Sequence, residues 1–369
     1  MEASALDGPL RHGACTLAVA LGVLVAASPS VGLQLRQGDL LVTDSANARV
    51  LLVDPTTGDV FDFSPRMGSG QSYLFMPAGI AIDPAGAIFV ADSFADHIVA
   101  IDPTTGAQSV VHDFSIVFGD FGPSDVGSAP TGIAVEPSGG GIDPRDLFVA
   151  SAQGIYRVTR DFDGNSTALL SGAPELQNGN DVAVQEDLQG SPYSLWIVAG
   201  GVLVRYFFPD GSTQVLSQTD AKNVHGVDYF DNTALFTRLE DCGFIGSLAG
   251  LFRYDGRVGG TQVADVYFSS CLGRAIGVAS STSVLATFGP DQIVELVPTI
   301  DGYQGSVIAT LPQGTVAPVA ADLAVSPTTF PAPEPGEAAV GLAGAVALLG
   351  RALVGRRSRP RPERGRDGF

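Results

Sequence analysis

From Pro77 the chain reads PAGIAIDPAGAIFVADSFADHIVAIDPTTGAQSVV, four short runs of apolar and β-branched residues parted by DPAG, DSFAD and DPTTG. Runs this short, alternating or continuous and bounded by Asp, Pro and Gly, predict strands rather than helices. Each punctuation predicts a turn, because Pro presets φ, Gly accepts positive φ and Asp bonds nearby backbone amides. The unit therefore predicts a four-stranded antiparallel meander. Its opening run recurs as GIAI at Gly79, GIAV at Gly132, DVAV at Asp181, GVDY at Gly226, GVAS at Gly277 and DLAV at Asp322, with successive starts 53, 49, 45, 51 and 45 residues apart.

A four-stranded unit repeating every 40 to 50 or so residues is the period of a propeller blade. Six openings predict six blades. The two ends sharpen this. The first unit, GDLLVTDSANARVLLVDPTTGDVFDF from Gly38, lacks the opening run, and the last, VAADLAVSP ending at Pro327, has nothing after it. Together they make one blade, so the C-terminal strand is expected to close the first blade and remove two sheet edges. The expected fold is an all-β, six-bladed β-propeller over residues 38–327, with an N-terminal signal helix and a C-terminal transmembrane helix outside it.

The stretch PAGIAIDPAGAIFVADSFADHIVAIDPTTG is similar to NHL and SMP-30-type β-propeller repeats. The likeness runs from about Gly38 to Pro327 and fades after the second unit, where DPTTG is lost. The resemblance implies the architecture and little about activity. Propellers carry lactonases, lyases, carbohydrate binders and interaction platforms, so function has to come from a site.

In such a fold the first strand of each blade lines the axial channel. Aligning the six openings puts Ala78, Thr131, Asn180, His225, Ile276 and Ala321 around one mouth. The ligand-binding candidates are Asn180, Asp181, His225 and Asp322. Under an enzymatic alternative, a lactonase-like hydrolase or lyase, they would hold a divalent ion such as Ca or Mg, which requires several oxygen or lone-pair ligands. The competing reading is that Asp181 and Asp322 replace the repeat's glycine and bond the turn leading into the blade. Asp44 in VTDS and Asp92 in VADS end second strands, whereas later units place Ser151, Ala199, Arg238 and Phe288 there. With no ring of carboxylates, both read as caps on the following turn. DFDGNS from Asp161 has calcium-loop spacing but Ser166 and Gly172 where the loop needs Gly and Glu, so it reads as a hairpin turn on Asp163-Gly164. No nucleophile elbow, P-loop or HExxH motif occurs, so no catalytic residue and no resident cofactor are assigned. A binding module fits better than an enzyme, with a glycan, a protein or a small molecule as its ligand.

Charge and the termini add the compartment. A net charge of -19 opposes phosphate backbones and argues against nucleic acid as a partner. Residues 1–30 contain Arg11 and His12, an apolar run from Ala14 to Ala27 and small residues near Ser28, the layout of a cleavable secretory signal; the run could also stay as a short anchor. Export would put Cys242 and Cys271 in an oxidising compartment, where a disulfide between them is expected. Both fall in loops assigned to the channel-mouth face. At the other end, residues 328–337 form a Pro-rich linker, 338–355 an apolar segment of transmembrane length and 356–369 an Arg-rich tail that the positive-inside rule keeps cytoplasmic. Pro333, Glu334 and Pro335, then the apolar run and the arginines, resemble the PEP-CTERM sorting signal of Gram-negative bacteria. The resemblance implies processing by an exosortase-type enzyme, transient membrane anchoring and delivery to the cell surface or extracellular matrix.

Overall fold

The computed structural model describes residues 35–64, 72–114, 129–136, 146–161, 164–171, 173–186, 192–208, 210–216, 224–230, 233–238, 249–254, 263–269, 272–280, 283–288, 291–299, 302–314 and 320–326. The signal and sorting segments and both Cys242 and Cys271 lie outside the described residues.

The first strands in the chain are β1 (Leu40–Asp44), β2 (Arg49–Val53) and β3 (Val60–Ser64). Four-strand units follow: β4 (Pro77–Ile82), β5 (Ile88–Asp92), β6 (His97–Ile101) and β7 (Gln108–Asp113); then β8 (Pro130–Val135), β9 (Leu147–Ser151), β10 (Gly154–Asp161) and β11 (Gly164–Ser171). Next come β12 (Gly179–Glu186), β13 (Pro192–Ala199), β14 (Val202–Phe207) and β15 (Thr213–Val215), and β16 (Val224–Phe230), β17 (Thr233–Arg238), β18 (Ala249–Tyr254) and β19 (Val263–Ser269). The last are β20 (Leu272–Ser280), β21 (Ser283–Phe288), β22 (Gln292–Thr299), β23 (Gly302–Thr310) and the solitary β24 (Ala320–Val325). They pair into six four-stranded sheets, and β24 completes the first of them in the order β24-β1-β2-β3. All-β propeller architecture follows, with each recurring opening on the innermost strand of a sheet. β4, β8, β12, β16, β20 and β24 stand side by side, and β24 returns to β4, so the row closes on itself.

Closure is carried by a register and by polar bonds together. Leu40 faces Val325, Val42 faces Leu323 and Thr43 faces Asp322. Beside this ladder, the Gly38 N–H donates to the Ser326 carbonyl at 2.9 Å and the Ser326 N–H to the Asp39 carbonyl at 2.8 Å. The Thr43 hydroxyl donates to the Ala78 carbonyl at 2.8 Å and receives the Asp322 N–H at 2.9 Å, so it joins the first sheet to the second. A strand arriving from the far end of the chain therefore satisfies donors that an open edge would expose.

The core is radial. Leu40, Val42, Leu51 and Val53 of the first sheet pack on Leu285, Ile293 and Ala309 of the last. Phe89, Ala91 and Ile98 of the second sheet pack on Ile133, Leu147 and Val149 of the third, and Phe148 and Ala150 on Leu195 and Ile197 of the fourth. A strand between two such interfaces is apolar on both faces, which is why LLVTD, IFVAD and LFVAS are buried at every position instead of alternating. The outermost strands, with one neighbour and one wet face, show exposed positions such as those of VFDFS.

At the centre the repeat's glycine is a steric requirement. A Cβ on Gly132 would stand 2.5 Å from the Asp181 Cα of the next innermost strand. Backbone cannot yield there without opening the ring. Gly132→Ala is expected to lower stability by about 1–3 kcal/mol, the ordinary cost of overpacking, and a urea midpoint unchanged from the parent would contradict this packing.

One turn falls elsewhere than expected. β10 and β11 pair Asp161 with Gly164, so Gly164 stands in the ladder and not in the turn expected on Asp163-Gly164; Asp163 lies outside the described residues.

Candidate functional site

Loops preceding the innermost strands and loops joining second to third strands emerge on one face of a meander. On that face Ala78, Thr131, Asn180 and Ala321, four positions predicted to ring the mouth, line a single cavity of ≈ 390 Å³. Ser45, Met76 and Ser93 line it as well. The side chains of His225 and Ile276 lie outside the described residues; the backbone places His225 on β16 and Ile276 on β20. Among the described residues, none of the seven that line the cavity is charged. The Thr131 hydroxyl bonds to the Ala150 and Gly179 carbonyls, at 3.1 and 2.6 Å, and so fixes the wall.

Asp181 and Asp322 face a different space. One residue on from Asn180 and Ala321, they line a channel cavity of ≈ 280 Å³ with Asp228 and apolar residues of the innermost strands. Asn180 thus falls to one cavity and Asp181 and Asp322 to the other; in β12 the pairing register shifts between Gly179 and Asp181, which leaves Asn180 as the extra residue of a bulge. Both carboxylates are held by backbone. Asp181 accepts the Val182 N–H and, across the sheet boundary, the Val227 N–H, each at 2.8 Å. Asp322 accepts the Leu323 N–H and the Ile80 N–H of the next sheet, again at 2.8 Å. The aspartates do replace glycine in the repeat, yet they bond the neighbouring innermost strand rather than the turn ahead of their own. They act as clamps between sheets.

Burial raises the Asp181 carboxyl to about 7, against two backbone N–H bonds that hold it down, and the Asp228 charge adds to the rise. Asp322 is raised well above the ordinary carboxylate range, first by burial and then by the charges of Asp181 and Asp228. Among the described residues no group of three His, Cys, Asp or Glu side chains is placed to share a metal ion. Asp228 was absent from the sequence candidates. Its signal was legible, since it lies two residues after Gly226 and must share that residue's side of the strand.

Asp44 and Asp92, equivalent in sequence, do different work. Asp92 is fully buried. It accepts N–H bonds from Phe94 and Ala95 at 3.2 and 3.0 Å, the expected cap, and also from Phe75 and Met76 at 2.5 and 3.0 Å. One carboxylate therefore fixes two loops of the mouth face. The result is a stack of two rings, Phe75 and Phe94, 6.1 Å between centroids and 28° from parallel. Asp44 instead meets Arg49 Nε at 2.8 Å and the Asn47 amide at 2.9 Å. Arg49 goes on to Asp62 and to the Pro312 carbonyl, both at 2.8 Å, tying the first sheet to the segment leading into β24.

A closed ring of radial four-stranded sheets around a lined channel defines a β-propeller. The chain is similar to solved structures of that kind. A structure of a nidogen/laminin complex matches with TM-score 0.53 at 12% identity, covering 78% of this chain and 98% of that one. A virginiamycin B lyase from Staphylococcus aureus matches with TM-score 0.47 at 15% identity, over 76% and 85% of the two chains. The β-propeller domain of Cps50 (Swd1) from Myceliophteria thermophila matches with TM-score 0.45 at 10% identity, over 80% and 92%. At such identities the likeness concerns fold alone. No protein-family model matches the chain, and no curated protein does.

Proposed function

We propose that the protein is an exported, six-bladed propeller binding module, delivered to the cell surface or matrix of a Gram-negative bacterium by its C-terminal sorting signal. One observation carries the reading. The ring is complete when β24 pairs with β1, and β24 ends at Val325, before Pro333-Glu334-Pro335, the apolar run and the arginines begin. The described strands close the ring before those segments begin, which fits a detachable anchor and address. Binding belongs to the mouth face, where loops sit on a rigid scaffold. The clamping of Asp181 and Asp322 by backbone supports a structural role for the two carboxylates.

The exosortase-type partner gives a direct test. Mass spectrometry of the mature protein from its native host is expected to find a C-terminus near Pro335, with the Arg-rich tail gone. An intact tail ending at Phe369 on surface protein would overturn the sorting reading and leave a simple membrane anchor.

A further inference from the structure

The neutral mouth cavity and the aromatic pair beside it form one continuous feature. Met76 and Ser93 line the cavity, and Phe75 and Phe94 are their chain neighbours on the rim. Phe75 is 38% and Phe94 61% exposed, with Tyr73 and Met76 at 41% and 43% on the same loop. Single exposed apolar residues are ordinary, whereas several together on one rim mark a contact surface. Asp92 holds both loops by backbone bonds, so the stack is set by the scaffold while both rings stay partly exposed.

We propose that this rim and cavity bind a neutral carbohydrate, an inference that rests on the binding-module reading and names its ligand class. A sugar ring presents an apolar face of C–H bonds and a perimeter of hydroxyls. The C–H face suits the negative face of an aromatic ring. The hydroxyls need uncharged partners: the exposed Asn180 amide both donates and accepts, and the Thr131 and Ser93 hydroxyls, whose protons go to backbone carbonyls, keep lone pairs that accept. The described residues that line the cavity are all uncharged, so they offer an ionic ligand no counter-charge. The volume of ≈ 390 Å³ falls in the lower part of the usual small-molecule range of about 300–1,000 Å³.

The test uses the full chain, purified in a detergent without a sugar headgroup, and a panel of neutral gluco-, galacto- and manno-oligosaccharides read by saturation-transfer NMR and calorimetry. Saturable binding of at least one is expected, with signal strongest on ring C–H protons. Phe94→Ala should weaken it at least tenfold, Phe94→Tyr should keep it, and Asn180→Ala should weaken it severalfold, all without change in melting temperature. Glycan binding indifferent to Phe94→Ala would overturn the site. Binding of a peptide library but of no neutral glycan would overturn the ligand class and leave the binding module standing. Saturation by neither would overturn both.

Discussion

Replacing Arg49 with methionine is expected to cost the fold about 3–5 kcal/mol, the usual consequence of removing one partner of a buried ion pair. The side chains of Arg49 and Asp44 are 3% and 0% exposed, so the variant leaves the Asp44 carboxylate without its guanidinium and without water. It also cuts the bond to the Pro312 carbonyl, the tie to the segment that precedes β24. The loss should surpass that of a cavity alone. Replacing both partners, Asp44→Leu with Arg49→Met, should recover most of it, because an apolar pair leaves no uncompensated charge. Trp196, the single tryptophan, reports unfolding from the fourth sheet: it is 1% exposed, and its indole N–H donates to Gln185 Oε1 at 3.1 Å. If Arg49→Met left the denaturant midpoint of Trp196 fluorescence in place, the latch between the first sheet and the ring closure would be refuted.

A second large effect is expected from pH. Asp181 and Asp322 both bind a proton more tightly in the folded chain than an unfolded aspartate does, chiefly because burial disfavours their charge. For a raised carboxyl the contribution to stability is fully present below the ordinary aspartate range. It is lost as pH climbs through the folded value, about 7 for Asp181. A tenfold difference in proton affinity between the folded and unfolded chain is worth about 1.4 kcal/mol, and each kcal/mol is read as roughly 2–4 °C in Tm for a large domain. The parent protein should therefore lose several degrees between pH 5 and pH 8. Asp181→Asn should flatten this slope. It should also be less stable than the parent at pH 5, because Val182 and Val227 donate to different oxygens of Asp181 and an amide puts an NH2 group in place of one of them. The two curves should converge as pH rises. Relief of the Asp181 charge also lowers the Asp322 carboxyl, so the double variant should add little further flattening. Parallel curves for parent and Asp181→Asn would show that the clamp does not titrate.

Much of the architecture was legible in the chain itself. Punctuation by DPAG and DPTTG marks strands because Pro, Gly and Asp act on their own backbone, within a few residues. The missing first strand of the opening unit and the surplus strand of the last are arithmetic on a repeat, and β24 does pair with β1. The mouth positions Ala78, Thr131, Asn180 and Ala321 were legible for the same reason, since a strand's phase carries from one repeat to the next.

The functional detail was less so. VTDS and VADS look alike, yet Asp44 pairs with Arg49 while Asp92 binds the amides of Phe75 and Met76. The Asp44 partners are local, Asn47 and Arg49 three and five residues on, where the second unit has Ala95 and His97, whereas the Phe75 and Met76 amides reach Asp92 from another loop. The aromatic rim was invisible for the same reason: Phe75 and Phe94 belong to separate loops and meet only because Asp92 lies between them.

What the sequence determined alone is whatever depends on neighbours in the chain: strand, turn, period, the closing strand and the grouping of innermost residues around one mouth. What only the tertiary structure decided is the pairing of side chains across sheets. It turned Asp181 and Asp322 from candidate ligands into clamps on Val227 and Ile80, and it assembled a neutral, aromatic-rimmed cavity. The physical reason is range. Backbone preference is local, whereas a buried carboxylate takes whichever N–H group the packing brings within hydrogen-bond reach.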